Sequence, residues 1–154
     1  MAGSIICGVD ESEAADGAAR VARGLSRKLG LKLVFVRVTD EGTSREAFDA
    51  IAEGLDRITH EDRDLDSGAA WLVEVGHPAD RLVAAATDAD ASMIVVGSHG
   101  PRSSLLGSIS AEVSRRAPCP VVVVPPGADK GLDDDRLLAG VTNAGGIIRF
   151  DLGS

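Results

Sequence analysis

The densest run of ligand-capable residues reads Gly97-Ser98-His99-Gly100-Pro101-Arg102-Ser103-Ser104-Leu105-Leu106-Gly107-Ser108. Glycines there permit positive φ and let backbone N–H groups come close to a ligand. A helix opening at Gly107-Ser108 turns its free N–H groups and the Ser108 hydroxyl toward the loop, which makes an anion site. Arg102 adds a cation, and Ser103 and Ser104 add donors, so a phosphate is the natural guest. A plain Gly/Ser connector with Ser108 as a helix cap fits the same residues. The chain contains no G-x-x-x-x-G-K-[ST] Walker loop, and this run is not the dinucleotide G-x-G-x-x-G. His60 and His77 have no ligand spacing to His99, and neither Cys7 nor Cys119 sits in a C-x-x-C. No metal site is expected from them. No nucleophile is paired with a base and no lysine lies in the run, so no catalytic residue is expected.

These residues need elements to position them. Ile5 to Val9 is a short apolar run ending at Asp10. Ala14, Ala18, Val21, Ala22, Leu25 and Leu29 follow at helical spacing, and Gly30 closes that helix. Leu31 to Val38 reads as a second strand with no charged centre. Thr43 and Glu46 form a capping box for a second helix, whose buried face is Phe48, Ile51, Ala52, Leu55 and Ile58. The charged stretch from His60 to Asp66 is a solvated helix end and loop. Ala69 to Val75 is a third strand. Pro78 opens a third helix striped by Ala79, Leu82, Val83 and Ala86. Ser92 to Val96, Leu106 to Ala117 and Val121 to Val124 complete the alternation as strand, helix and strand.

Strands alternating with helices pair in parallel, because each crossover needs the length of a helix. The expected fold is α/β: one doubly wound open parallel five-stranded sheet flanked by four helices. Such sheets bind ligands beyond the carboxyl ends of their strands, where the winding reverses. The loops after strands one and four, with Asp10 and Gly97 to Gly100, therefore matter most. Asp10 is the single carboxylate there, so no acid/base pair is evident and a hydrolase or phosphotransferase is disfavoured. Residues 1–126 form the domain and 127–154 a C-terminal extension, in which Ile147 to Leu152 could add one strand after the Asn143-Ala144-Gly145-Gly146 turn signal.

Composition narrows the function classes. The chain has 154 residues, the size of one core. Its net charge is -8 and its pI about 4.8, which argues against general nucleic-acid binding. Aromatic residues are 3% of the chain, too few for a base-stacking platform. Mean hydropathy is +0.09 and no apolar run approaches the roughly 20 residues of a membrane span. The start lacks a basic segment ahead of an apolar one, so a cytoplasmic location is expected.

Three blocks together resemble the universal stress protein family. They are Ile6-Cys7-Gly8-Val9-Asp10 with Ser12; Gly76-His77-Pro78-Ala79 through Ala91 to Gly100; and Gly107-Ser108-Ile109-Ser110 with Ala117 to Val124. The resemblance implies sheet order 3-2-1-4-5 and a pocket for ATP, ADP or AMP, with Mg²⁺ as an optional companion of the phosphates. Asp10 would face adenine and ribose, and Val38 would offer backbone groups to the base. Val96 and Gly97 would wall the base and ribose. His99 and Gly100 would meet the phosphates, with Gly107, Ser108 and Ile109 supplying amides. Asp10 can equally cap the first helix with Glu13 as its partner, Val38 can be a plain strand residue, and His99 can be a plain loop histidine.

ATP-binding members of that family carry Gly, two residues, Gly, nine residues, then Gly-Ser or Gly-Thr. This chain has six residues in the long gap, Pro101 to Leu106, so the loop is about 10 Å shorter in extended chain. The leading function is an adenine-nucleotide-binding stress-response or signalling module. Its rival is a nucleotide-free dimerisation module. In the implied order Val121 to Val124 is an edge strand without charge, which suits a homodimer about a two-fold axis. The extension could instead fold back over that edge.

Overall fold

The computed structural model describes residues 3–10, 13–60, 69–98, 107–127 and 148–149. Its elements are β1 (Ser4–Gly8), α1 (Glu13–Leu29), β2 (Lys32–Thr39), α2 (Arg45–His60), β3 (Ala69–Val75), α3 (Pro78–Asp88), β4 (Met93–Gly97), α4 (Ser108–Arg116), β5 (Val121–Val124) and β6 (Ile148–Arg149). The strands run β3-β2-β1-β4-β5-β6, all parallel. The 3-2-1-4-5 order holds. The five strands of the domain form as expected, and a sixth is added where Val122 and Val123 of β5 pair with Ile148 and Arg149. Val121 to Val124 is therefore not a bare edge. Strand β6 pairs with it at Val122 and Val123, as parallel backbone pairing satisfies N–H and C=O groups that an edge leaves open.

Strand alternation sorts the core into two layers. Ile5, Cys7, Leu33, Phe35, Val95, Val122 and Val124 face α1 and α2. Ile6, Val36, Ile94, Val96, Val121 and Val123 face α3 and α4. Fully burying each such side chain contributes about 1.5–3 kcal/mol relative to exposure. Small residues on α1, Ala15, Ala18, Ala19 and Ala22, let this helix lie close against the sheet. Arg23 lies over the Phe35 ring and donates to the Ile58 carbonyl, tying α1 to α2.

Local signals mostly land where the residues put them. Gly30 takes φ +66° after α1, and Leu31 N–H returns to the Ser26 carbonyl, closing the helix as glycine permits. Helix α4 begins at Ser108, later than the Leu106 start expected, with Gly107 extended at φ -63°. The capping box at Thr43 and Glu46 is corrected by one residue. Ser44 is the cap: its Oγ accepts from Ala47 N–H at 3.2 Å and its carbonyl accepts from Phe48 N–H. The α2 face is also shallower than expected. Leu55 is buried, whereas Ile51, Ala52 and Ile58 are half-buried and Phe48 is 38% exposed. The reason is placement, because among the described residues α2 packs mainly on the edge strand β3. In β2 the centre is uncharged as expected, and Arg37 stands near its end.

Replacing Ser44 by Ala is expected to cost about 1 kcal/mol of folding stability, and replacing Thr43 by Ala a few tenths at most. Urea melts of the two variants check this; equal losses would return the cap to Thr43.

Candidate functional site

The winding reverses at β1. The chain leaves β1 for β2 on one side and later returns to place β4 on the other. The connections after β1 and β4 therefore part, and a cleft opens at the carboxyl ends of the strands. Its volume is about 680 Å³ counted out to the open mouth. The floor is Gly8, Val9 and Val36, and one wall is Pro78 and Leu82 of α3 with Ile109 of α4. Asp10 and Arg37 stand at the side shared with a second, shallower cleft formed with Ile51, Leu55 and Ile58 of α2.

Five of the expected site residues meet around the cleft: Asp10, Val38, Val96, Gly97 and Ile109. Gly107 and Ser108 lie at the start of α4, two residues and one residue before Ile109, and are not among the lining residues. His99 and Gly100 lie outside the described residues, as do Arg102, Ser103 and Ser104. The structure adds Gly8, Val9, Ala15, Val36, Arg37, Pro78 and Leu82, which the sequence reading missed as site residues. A charge near the end of an otherwise apolar strand was the available signal for Arg37.

The α4 start is built to leave donors open. Gly107 occupies the cap position without a side-chain cap bond. Ser110 Oγ donates to the Gly107 carbonyl at 3.0 Å and Ala111 N–H bonds that same carbonyl. The first amides of α4 thus carry no side-chain acceptor from the cap residue, and the helix dipole favours a negative group there. Gly107 itself needs no positive φ; what its lack of a side chain provides is access.

The cleft is poor in reactive groups. Asp10 is its one carboxylate among the described lining residues, and neither lysine nor histidine lines it there. Cys7 lies beneath the floor with its side chain buried. Burial pushes its thiol up to about 12, outweighing the opposing pull of Arg23, so it is no nucleophile at neutral pH. Burial also raises the half-buried Cys119.

A family model described as the universal stress protein family matches residues 1–125. The chain belongs to the universal stress protein family. A universal stress protein of Mycobacterium tuberculosis is 34% identical over 142 residues, which is 85% of this chain and 51% of that relative. The chain thus spans about half the length of the curated relatives it matches. Among solved structures, a universal stress protein of Archaeoglobus fulgidus is similar at TM-score 0.69 with 26% identity, covering 80% of this chain and 99% of that one. One from the same organism in complex with dAMP is similar at TM-score 0.66 with 25% identity, covering 79% and 97%. A universal stress protein in complex with cAMP is similar at TM-score 0.63 with 26% identity, covering 80% and 97%. No helix among the described residues of this universal stress protein is long and apolar enough to cross a membrane.

Gly8 sets the depth of the cleft. A Cβ there would meet Leu82 Cδ1 at 3.1 Å and Val96 Cγ1 at 3.3 Å. Gly8→Ala is expected to destabilise by about 1–3 kcal/mol through overpacking. Adding Leu82→Ala is expected to recover part of that loss, a coupling that a double-mutant cycle of thermal melts reads directly. Additive losses would show that the two sites do not press on each other.

Proposed function

We propose that this chain binds an adenine nucleotide in the cleft at the β1/β4 reversal and works as a cytoplasmic stress-response or signalling module. The observation that carries the reading is the meeting of Asp10, Val38, Val96, Gly97 and Ile109 around one cleft beside the open start of α4. Apolar walls suit the base, the Asp10 carboxylate suits ribose hydroxyls or the base edge, and helix amides suit phosphate. Two similar structures are titled as complexes with dAMP and cAMP, which supports an adenine nucleotide as the ligand class. The short Pro101 to Leu106 segment suits ADP or AMP as well as ATP. Mg²⁺ would depend mainly on the phosphates, since Asp10 is the one carboxylate among the described cleft residues. That scarcity of acid/base groups favours binding over turnover.

Calorimetry with ATP, ADP and AMP tests the reading. Binding by at least one is expected, and no heat and no thermal shift at millimolar nucleotide would leave the dimerisation module in its place. Asp10→Ala is expected to weaken binding by roughly 1–2 kcal/mol, the scale of a hydrogen bond to a charged group. Melts with and without nucleotide separate this from a capping loss, because a cap lowers both equally.

Assembly belongs to the same reading. A homodimer through Val121 to Val124 competes with β6 for one edge. Truncation after Gly127 removes β6, so light scattering is expected to show more dimer for the truncated chain than for the full one. A truncated chain that stays monomeric at tens of micromolar would overturn this dimer.

A further inference from the structure

A second cluster of chemically competent side chains lies on the surface, where α3 meets α4. His77 occupies the cap position of α3 in extended conformation, φ -78° and ψ 127°. Serine, threonine or aspartate normally takes that place to bond a free amide, yet the imidazole makes no cap bond. Asp80 stands three residues on, over the first turn. Glu112 comes across from α4. His77 Nδ1 lies 4.0 Å from Asp80 Oδ2, and Nε2 lies 3.9 Å from Glu112 Oε2. Both gaps are too long for hydrogen bonds.

Arg116 explains how the two carboxylates are held. Its Nη1 donates to Asp80 Oδ1 and to Glu112 Oε1. The guanidinium takes one oxygen from each acid and leaves the other oxygen of each turned toward the imidazole. A plain ion-pair bracket between α3 and α4 accounts for Arg116. A protonated His77 would pair with both acids across the same two gaps, whereas a neutral imidazole offers a nitrogen lone pair between them.

We propose that His77, Asp80 and Glu112 form a binding site for a divalent transition-metal ion of the Zn²⁺ type. One ligand atom from each residue lies within 4.8 Å of the others. In a tetrahedral zinc site, bonds of about 2.0–2.2 Å place ligand atoms roughly 3.4 Å apart. The closure required is well under the reach of exposed side chains changing rotamer. One imidazole and two carboxylates, with water as the fourth ligand, suit zinc better than Mg²⁺ or Ca²⁺, which prefer oxygen alone. Arg116 and Arg81 both act on the Asp80 carboxylate, so the draw on a cation rests on the donor set and not on net charge, and the Arg116 hydrogen bonds orient both acids from behind. The ion would clasp α3 to α4 next to Pro78 and Ile109, which line the cleft. The site stands whether or not the cleft binds nucleotide.

The test is calorimetric titration of ZnCl₂ into the full chain, stripped with chelator and free of nucleotide. Binding of about one equivalent that disappears into the background with MgCl₂ is expected. His77→Ala and Glu112→Gln are each expected to weaken zinc binding by at least about tenfold, the effect of losing one of three protein ligands. His60→Ala, which alters another exposed His–Asp pair, is expected to leave it unchanged. The altered side chains are half-exposed or exposed, and melts in chelator verify that the variants fold. No zinc heat in the wild-type chain, or zinc binding that survives His77→Ala intact, would overturn the proposal.

Discussion

The architecture depends on β1 being held on both edges and both faces. Ser4–Gly8 pairs with β2 on one side and β4 on the other. Ile5, Ile6 and Cys7 are at most 1% exposed, so helices must cover each face. A right-handed crossover takes the chain to one side of β1 with α1, and later crossovers build the other side. The two directions of winding cannot be reconciled without a gap above the end of β1. The cleft is the geometric consequence, and at Gly8 Leu82 and Val96 approach so closely that a Cβ would press on both.

The chemistry at that gap comes mainly from backbone. Helix α4 contributes Ile109 to the cleft two residues after its cap, and Gly107 caps it without a side chain. Apolar strand ends supply the walls, and Asp10 and Arg37 supply charges of opposite sign at one side. Among the described cleft residues Asp10 is the one carboxylate.

The sheet's two ends are finished differently. At β5 the extension returns as β6 and takes up backbone groups at Val122 and Val123. At β3 no further strand pairs among the described residues, and Leu72 and Val75 remain 44% and 45% exposed. Helix α2 shields only one face there, which is why its own apolar stripe stays half open. The helices on the opposite face are instead tied to each other. Arg116 joins Asp80 and Glu112, and its hydrogen bond is the main reason the Asp80 carboxyl lies below the ordinary aspartate range.

The sequence by itself determined the alternation of elements, and with it the parallel doubly wound sheet. Period-2 and period-3.6 patterns report which face of each element avoids water, and that is a local property of side chains. Strand ends also pointed to Asp10 and Gly97, whereas Ile109 was named from family likeness. Sheet order came from family likeness, since periodicity says nothing of neighbours. Burial depth was another matter: the stripe on α2 is apolar, but only its seat on an edge strand left Phe48 exposed. Arg37, Pro78 and Leu82 became cleft residues only when three strand ends and a helix converged. His77, Asp80 and Glu112 have no readable spacing, because Glu112 lies 35 residues beyond His77 on a different helix. Proximity of that kind is decided by packing, which places α3 against α4 for reasons that have nothing to do with those three side chains.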